Sequence, residues 1–356
     1  MEFQDFVNQT DNYLQVCKEL HLNVIKYKQL ALIKTYKNND YDYELYPWMR
    51  YCRGIVIDTE TNKVICVPPQ KSMEIKELTE CYFPEHTDTE YSVLLDGTMI
   101  NMFYYQGNWI LTTRSSIGAR TKWDGQRSFA NLFKESEPPS TWRDGLKKDH
   151  CYSFVLVHKQ NRIVSPVNEN GIFLVEQHKL GDTIEKVELD MLVGVQNVIS
   201  FNSNYLENYQ RNLYFSIKGF TMYKDGIRYK WMNPNYVYVS GLKANHNNKL
   251  MNYITLRQNG NLKEYLQYFP EESHLFNNYR DDYNSMKDDI FNGYLSRFVY
   301  KNKTMEQIPY PLRPVLYELH QKYLQTNEKT TMKIVSEYFH QMDGKRIAFM
   351  YNYLFT

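Results

Sequence analysis

The 356-residue sequence has no long uninterrupted apolar run, and its mean hydropathy is −0.62. A membrane-spanning segment of about 20 apolar residues is therefore not expected, and neither is a membrane partner. Net charge is almost absent: 42 Lys and Arg face 41 Asp and Glu, leaving +1 at pH 7. A protein that coats nucleic acid by bulk charge is excluded, so any nucleic-acid contact has to be local. Cysteine is scarce and unpaired in pattern. Cys17, Cys52, Cys66, Cys81 and Cys151 are odd in number and never form a CxxC pair, which argues against a disulfide framework or a structural zinc site and for a reducing compartment. The nine histidines form neither HxxxH nor HExxH, and no metal site is expected. The opening MEFQDFVNQTDNY is acidic and polar where a signal peptide starts basic and apolar, so a cytoplasmic location is expected, the host cytoplasm or the virion if the source is viral. Internal repeats, basic blocks and low-complexity linkers are also lacking.

What is present is a chain long enough for about two domains, with 42% hydrophobic residues and a marked bias to tyrosine, 32 in all. An AT-rich coding sequence, such as a viral one, produces the same Tyr, Asn and Lys bias. Phe3, Phe6, Val7, Leu14, Val16, Leu20 and Leu22 recur at helical spacing and lead into a strand. From about residue 50 to 245 short β-rich runs follow: RGIVID, KVICVP, YSVLL, TMINMFYY, NWILTT, CYSFVLV, RIVSPV, GIFLVEQ, GFTMYK and IRYKWM. Turn strings such as TETN, YYQGN, NENG and YKDG separate them, with one helical stretch near SFANLFKES. Beyond Pro234 the pattern turns helical, with Met286, Ile290, Tyr294 and Phe298 four residues apart. The expected fold class is α+β: an antiparallel-sheet domain over 1–245 and an all-α domain over 246–356.

Five strings in the sheet domain carry a resemblance. YCRGIVID (51–58), LLDGTMI (94–100) followed by ILTTRSSIG, SFVLVHKQNRIV (153–164), IKGFTMYKDG (217–226) and RYKWMNPNYV (228–237) resemble, in order, the motifs of the phage-type RNA ligase 1 family. That family is a branch of the covalent nucleotidyltransferases. The resemblance implies an RNA ligase-like nucleotidyltransferase fold and an ATP-dependent reaction in which a lysine takes AMP as a phosphoramidate and passes it to a 5′-phosphate.

The chemical positions depart from that pattern. Where the family's KxDG motif has its nucleophilic lysine the chain has Leu94, which has no lone pair for any environment to activate. The motif III glutamate is replaced by Val155, the metal-associated glutamate of motif IV by Lys218, and the second lysine of motif V by Met232. A further phosphate-contacting lysine aligns, more loosely, with Ile75. The framework residues Arg53, Gly54, Asp96, Gly97, Asn161, Arg162, Gly219, Lys230 and Tyr236 persist. Leu94, Val155 and Met232 are expected to give a former nucleotide pocket an apolar lining, and a buried Lys218 is expected to pair with Asp96.

The resemblance thus points to a degenerate ligase fold without catalytic residues or cofactors, acting by binding RNA or as a structural or scaffold subunit that binds proteins. Arg53, Arg114, Arg162 and Lys230 are the candidate anion contacts. Two other readings stay open. One is an active RNA ligase using ATP and Mg²⁺ with a relocated nucleophile, Lys218 or Lys230. The other is an α+β structural protein outside the family.

Overall fold

A computed structural model describes residues 2–75, 91–122, 127–139, 141–202, 206, 213–243 and 248–356. Cys81, the part of SMEIKEL beyond Ile75 and the expected boundary at 245/246 lie outside the described residues. The fold is mixed α+β with antiparallel sheets and a helical C-terminal region. It divides into two compact units, Met1–Tyr238 and Val239–Thr356. Among the described residues no helix is long and apolar enough to cross a membrane.

The first unit opens with α1 (Glu2–Gln9) and α2 (Tyr13–Glu19), the latter capped by the Asn12 side chain on Gln15 N–H. Four strands follow: β1 (Asn23–Tyr27), β2 (Leu30–Lys34), β3 (Arg53–Asp58) and β4 (Lys63–Cys66). They form one antiparallel sheet in sequence order. After its first residue β3 is buried throughout, so the run Gly54-Ile55-Val56-Ile57 reads as continuously apolar rather than alternating. Phe3 and Trp48 pack onto this sheet's core, and the ring of Phe6 stacks on Trp48 at 4.0 Å.

The later strands are β5 (Met73–Ile75), β6 (Tyr91–Val93), β7 (Thr98–Tyr105), β8 (Asn108–Thr113) and β9 (Ser116–Ile117). Helix α3 (Phe129–Ser136) precedes β10 (His150–Val157), β11 (Gly171–Lys179), β12 (Glu185–Val187), β13 (Gln196–Asn197), β14 (Ser200–Phe201), β15 (Gly219–Lys224) and β16 (Ile227–Met232). A second sheet runs β12-β11-β10-β7-β8-β9, with β13 parallel beside β11. Its inner residues Ile100, Met102, Tyr152, Phe154 and Leu174 bury against Phe129, Phe133 and Trp142. A third sheet runs β14-β6-β15-β16-β5, its last pair parallel.

One expected strand is missing. RIVSPV does not pair into a ladder; the N–H groups of Val164 and Ser165 both donate to the Asp96 carboxylate, at 2.9 and 2.8 Å, and Pro166 follows. A buried acceptor and a proline compete with strand pairing here and win.

Helix α4 (Pro234–Lys243) follows β16, and the second unit continues with α5 (Lys249–Gln258), α6 (Leu262–Tyr268), α7 (Ser273–Tyr294), α8 (Arg313–Thr326), α9 (Met332–Gln341) and α10 (Gly344–Phe355). Asn248, Thr331 and Asp343 cap α5, α9 and α10 with side-chain oxygens. Met286, Ile290 and Tyr294 of α7 are buried as their spacing predicts. Phe298 falls in a π-helical turn over Leu295–Val299, is only half-buried, and stacks on His320 at 3.9 Å. Cys17, Cys52, Cys66 and Cys151 are buried free thiols.

Candidate anion-binding cavity

In the first unit a cavity of about 840 Å³ opens among the three sheets. Leu94, Val155, Lys218 and Met232, the four positions at which the sequence departs from the ligase pattern, all line it. Backbone pairing brings them together. Leu94 N–H donates to Gly219 O at 2.9 Å, Met232 stands opposite Gly219 across β15 and β16, and Val155 stands opposite Met99 across β10 and β7. Gly97 makes the approach possible, since a Cβ there would lie 2.4 Å from Leu156 O and 2.6 Å from Val155 Cγ1.

Asp96 is an anchor behind this wall. Its Oδ2 accepts the Val164 and Ser165 amides, while its Oδ1 accepts the Tyr236 phenol at 2.5 Å and lies 3.5 Å from Lys218 Nζ. The Lys218–Asp96 pair expected from the sequence is thus present. The Lys218 amine also reaches Leu95 O at 3.4 Å. Burial lowers its pKa, Asp96 opposes that shift, and Lys230 and Arg228 add to it.

The expectation of an apolar lining holds for one wall only. Leu94, Met99, Val155, Val175, Val198 and Met232 supply it. The remaining lining carries eight cationic side chains, Arg53, Lys71, Arg114, Lys186, Lys218, Lys224, Arg228 and Lys230, against two carboxylates, Glu176 and Asp225. Of the four candidate anion contacts, Arg53, Arg114 and Lys230 face the cavity. Arg162 does not line it; its Nε and Nη2 donate to Val164 O at 3.1 and 2.8 Å, holding the turn that Asp96 anchors. Ile75 sits buried on β5 outside the lining.

Arg53 starts β3, and Arg114 follows β8. They meet because Gly54, at φ +103°, lets the β3 backbone press on that of Arg114. Arg114 Nη2 donates to Thr35 O at 2.8 Å, and Arg228 Nη1 to Ser72 Oγ at 2.7 Å. Burial, then the neighbouring Arg114 and Arg228, push the pKa of Arg53 down to about 10. Lys230 pairs with Glu74 at 3.2 Å.

ATP and Mg²⁺ are what a ligase fold implies, and the donor set can be tested against the metal. A hard divalent cation needs several oxygen ligands. Glu176 is almost fully buried, accepts the Tyr223 phenol at 2.5 Å and lies 3.7 Å from His178 Nε2 and 4.0 Å from Lys186 Nζ. Asp225 sits in the tight turn between β15 and β16, at φ 51°. Among the described residues no group of three His, Cys, Asp or Glu is placed to hold a metal ion. The wall does not fit a divalent cation.

Solved structures similar to this chain are ATP-dependent ligases. A provisionally assigned ATP-dependent DNA ligase from Aquifex aeolicus is 14% identical with a TM-score of 0.41, covering 95% of this chain and 78% of that one. Two forms of an archaeal ATP-dependent RNA ligase give TM-scores of 0.44 at 11% and 12% identity, covering 68% and 72% of this chain and 68% of theirs. No family model matches the chain. In sequence it is similar to the immediate-early protein ICP-46 homolog of Invertebrate iridescent virus 3, 22% identical over 283 residues. That match takes in 70% of this chain and spans 60% of the viral protein's length. These likenesses are low, and the cavity is defined by its own side chains.

Sequence reading missed Lys71, Lys186, Lys224 and Arg228. They lie on separate strands and connectors and form no local basic motif; only the sheet pairing gathers them.

Proposed function

We propose that this chain is a catalytically degenerate, RNA ligase-like nucleotidyltransferase that acts by binding RNA rather than by joining it. One observation carries the reading: the position of the family's nucleophilic lysine is held by Leu94, in the wall of a cavity whose other lining is rich in cations. An aliphatic side chain cannot attack a phosphorus, whereas the cationic lining neutralises phosphates whether or not chemistry follows. The tyrosine bias and the viral relative are consistent with a viral source, with action in the host cytoplasm or the virion.

The reading is tested by fluorescence-anisotropy titration of a single-stranded RNA across a salt series. Replacing Arg53 and Lys230 together with alanine weakens binding and makes the salt slope shallower by about two, one counterion contact for each residue. A slope that does not change would instead support a protein-binding scaffold.

A second reading, an active ligase with a relocated nucleophile, draws on Lys218, whose amine lines the cavity and has a lowered pKa. Its ion pair with Asp96 holds that amine toward the anchor behind the wall. Intact-mass measurement after incubation with ATP and Mg²⁺ separates the two: the binding reading gives no AMP adduct, and an adduct mapped to Lys218 would establish the second.

A further inference from the structure

The cavity lining holds two kinds of cation. Lys218 and Lys230 have carboxylate partners within 3.5 Å, and Lys186 lies 4.0 Å from Glu176. Arg53, Lys71, Arg114 and Arg228 face no carboxylate among the described residues. Their contacts are neutral: Thr35 for Arg114, Ser72 for Arg228, and the Tyr43 ring, 4.5 Å from Lys71 Nζ. The groups acting on Arg53 are two further arginines and a phenol. Like charges gathered at a partly buried wall repel one another, and a fold keeps such an arrangement at a cost that an anionic ligand removes.

Three of the four are guanidinium groups, whose planar forks match phosphate oxygens two at a time. A linked triphosphate carries about four negative charges near neutral pH, as many as there are cations without a carboxylate partner. The usual counterion for such a chain is Mg²⁺, which binds through phosphate oxygens and one or two carboxylates. Here Glu176 is engaged by Tyr223 and flanked by His178 and Lys186, and the charge that would neutralise phosphate is supplied by side chains.

We propose that this cavity binds a linked polyphosphate as the bare anion, with Arg53, Lys71, Arg114 and Arg228 replacing the divalent cation. The proposal rests on the anion-binding reading of the same cavity and goes beyond it in naming the ligand group and in dispensing with metal. Two sources share this chemistry, a free nucleoside triphosphate and the 5′-triphosphate end of an RNA.

The experiment is isothermal titration of the full chain with tripolyphosphate, pyrophosphate and orthophosphate in EDTA, repeated with excess Mg²⁺. Tripolyphosphate binds in EDTA, affinity falls in the order tri-, pyro-, orthophosphate, and Mg²⁺ weakens binding several-fold by complexing the ligand. Arg228→Ala lowers tripolyphosphate affinity at least tenfold. Arg228→Lys recovers part of it and guards against a folding defect, which the far-ultraviolet circular dichroism of both variants also reports. No binding in EDTA, or binding that requires Mg²⁺, overturns the proposal.

Competition then assigns the source. A 5′-triphosphorylated RNA that displaces tripolyphosphate more strongly than ATP does identifies the RNA end, and the reverse order identifies the free nucleotide. A 5′-hydroxyl RNA keeps the two levels apart. If it binds with a salt dependence while tripolyphosphate does not bind, the metal-free polyphosphate site fails and the RNA-binding reading stands; the opposite result leaves the polyphosphate site and removes the RNA.

Discussion

The phenol of Tyr236 donates to Oδ1 of Asp96 at 2.5 Å, the same oxygen that lies 3.5 Å from the Lys218 ammonium. With two backbone amides on Oδ2, this buried carboxylate has four donors around it and ties β15, the turn after β10 and the start of α4 to one point. In the active-ligase pattern the aspartate neighbours a nucleophile. Here the neighbouring cation comes from Lys218, at a position where that pattern has an acid.

Removing the carboxylate should therefore be far worse than removing the cation. Asp96→Ala strands two amides, a phenol and an ammonium, and is expected to cost about 3 kcal/mol or more. Lys218→Met leaves Asp96 with three donors and costs about 1 kcal/mol. In urea unfolding the double variant loses less than the two single losses together, because the lysine no longer lacks its partner. Additive losses would show that the pair is not coupled.

Alkaline pH tests the two buried phenol–carboxylate pairs. Burial raises the pKa of Tyr223, with Glu176 adding to the shift, and burial followed by Asp96 does the same for Tyr236. In the unfolded chain each phenol ionises near pH 10. The folded state thus keeps protons that the unfolded state releases, so the contribution of each phenol is complete below about pH 10 and is lost as pH rises above it. Urea midpoints measured through the alkaline range should fall, and Tyr236→Phe should make that fall shallower.

Gly54→Ala tests the backbone contact that joins two of the arginines. At φ +103° an added Cβ lies 2.8 Å from Arg114 Cα, a backbone atom that cannot swing aside. A loss of about 2 kcal/mol is expected, with weaker polyanion binding because Arg114 has to shift. Thermal unfolding and anisotropy on the same sample check both; a variant with unchanged stability would mean that the turn adjusts freely.

Much of this was legible in the sequence for local reasons. The strands of GFTMYK and IRYKWM flank a turn string whose Asp225 and Gly226 both adopt positive φ, so hairpin chemistry announced the pairing directly. The ion pair of Lys218 followed from a charge reversal beside a retained aspartate. Arg162 was misjudged because position in a motif says nothing about rotamer, and its guanidinium turns back to the Val164 carbonyl. RIVSPV looked like a strand because its apolar content is right, while the competing acceptor, Asp96, lies 68 residues earlier than Val164. Arg228 and Lys71 were invisible for a related reason: each belongs to a different stretch of chain, and no local pattern reports that they share a wall.

Arg53 belongs to the first sheet, Arg114 follows a strand of the second, and Arg228 belongs to the third. The recognition surface is therefore a product of large sequence separation, and it matures only when all three sheets have docked. A partly folded chain has no grip on its ligand, so ligand affinity doubles as an assay of completed assembly. By mass action, ligand at about a hundredfold excess over its Kd deepens the native well by about 2.7 kcal/mol and leaves partly assembled species where they were.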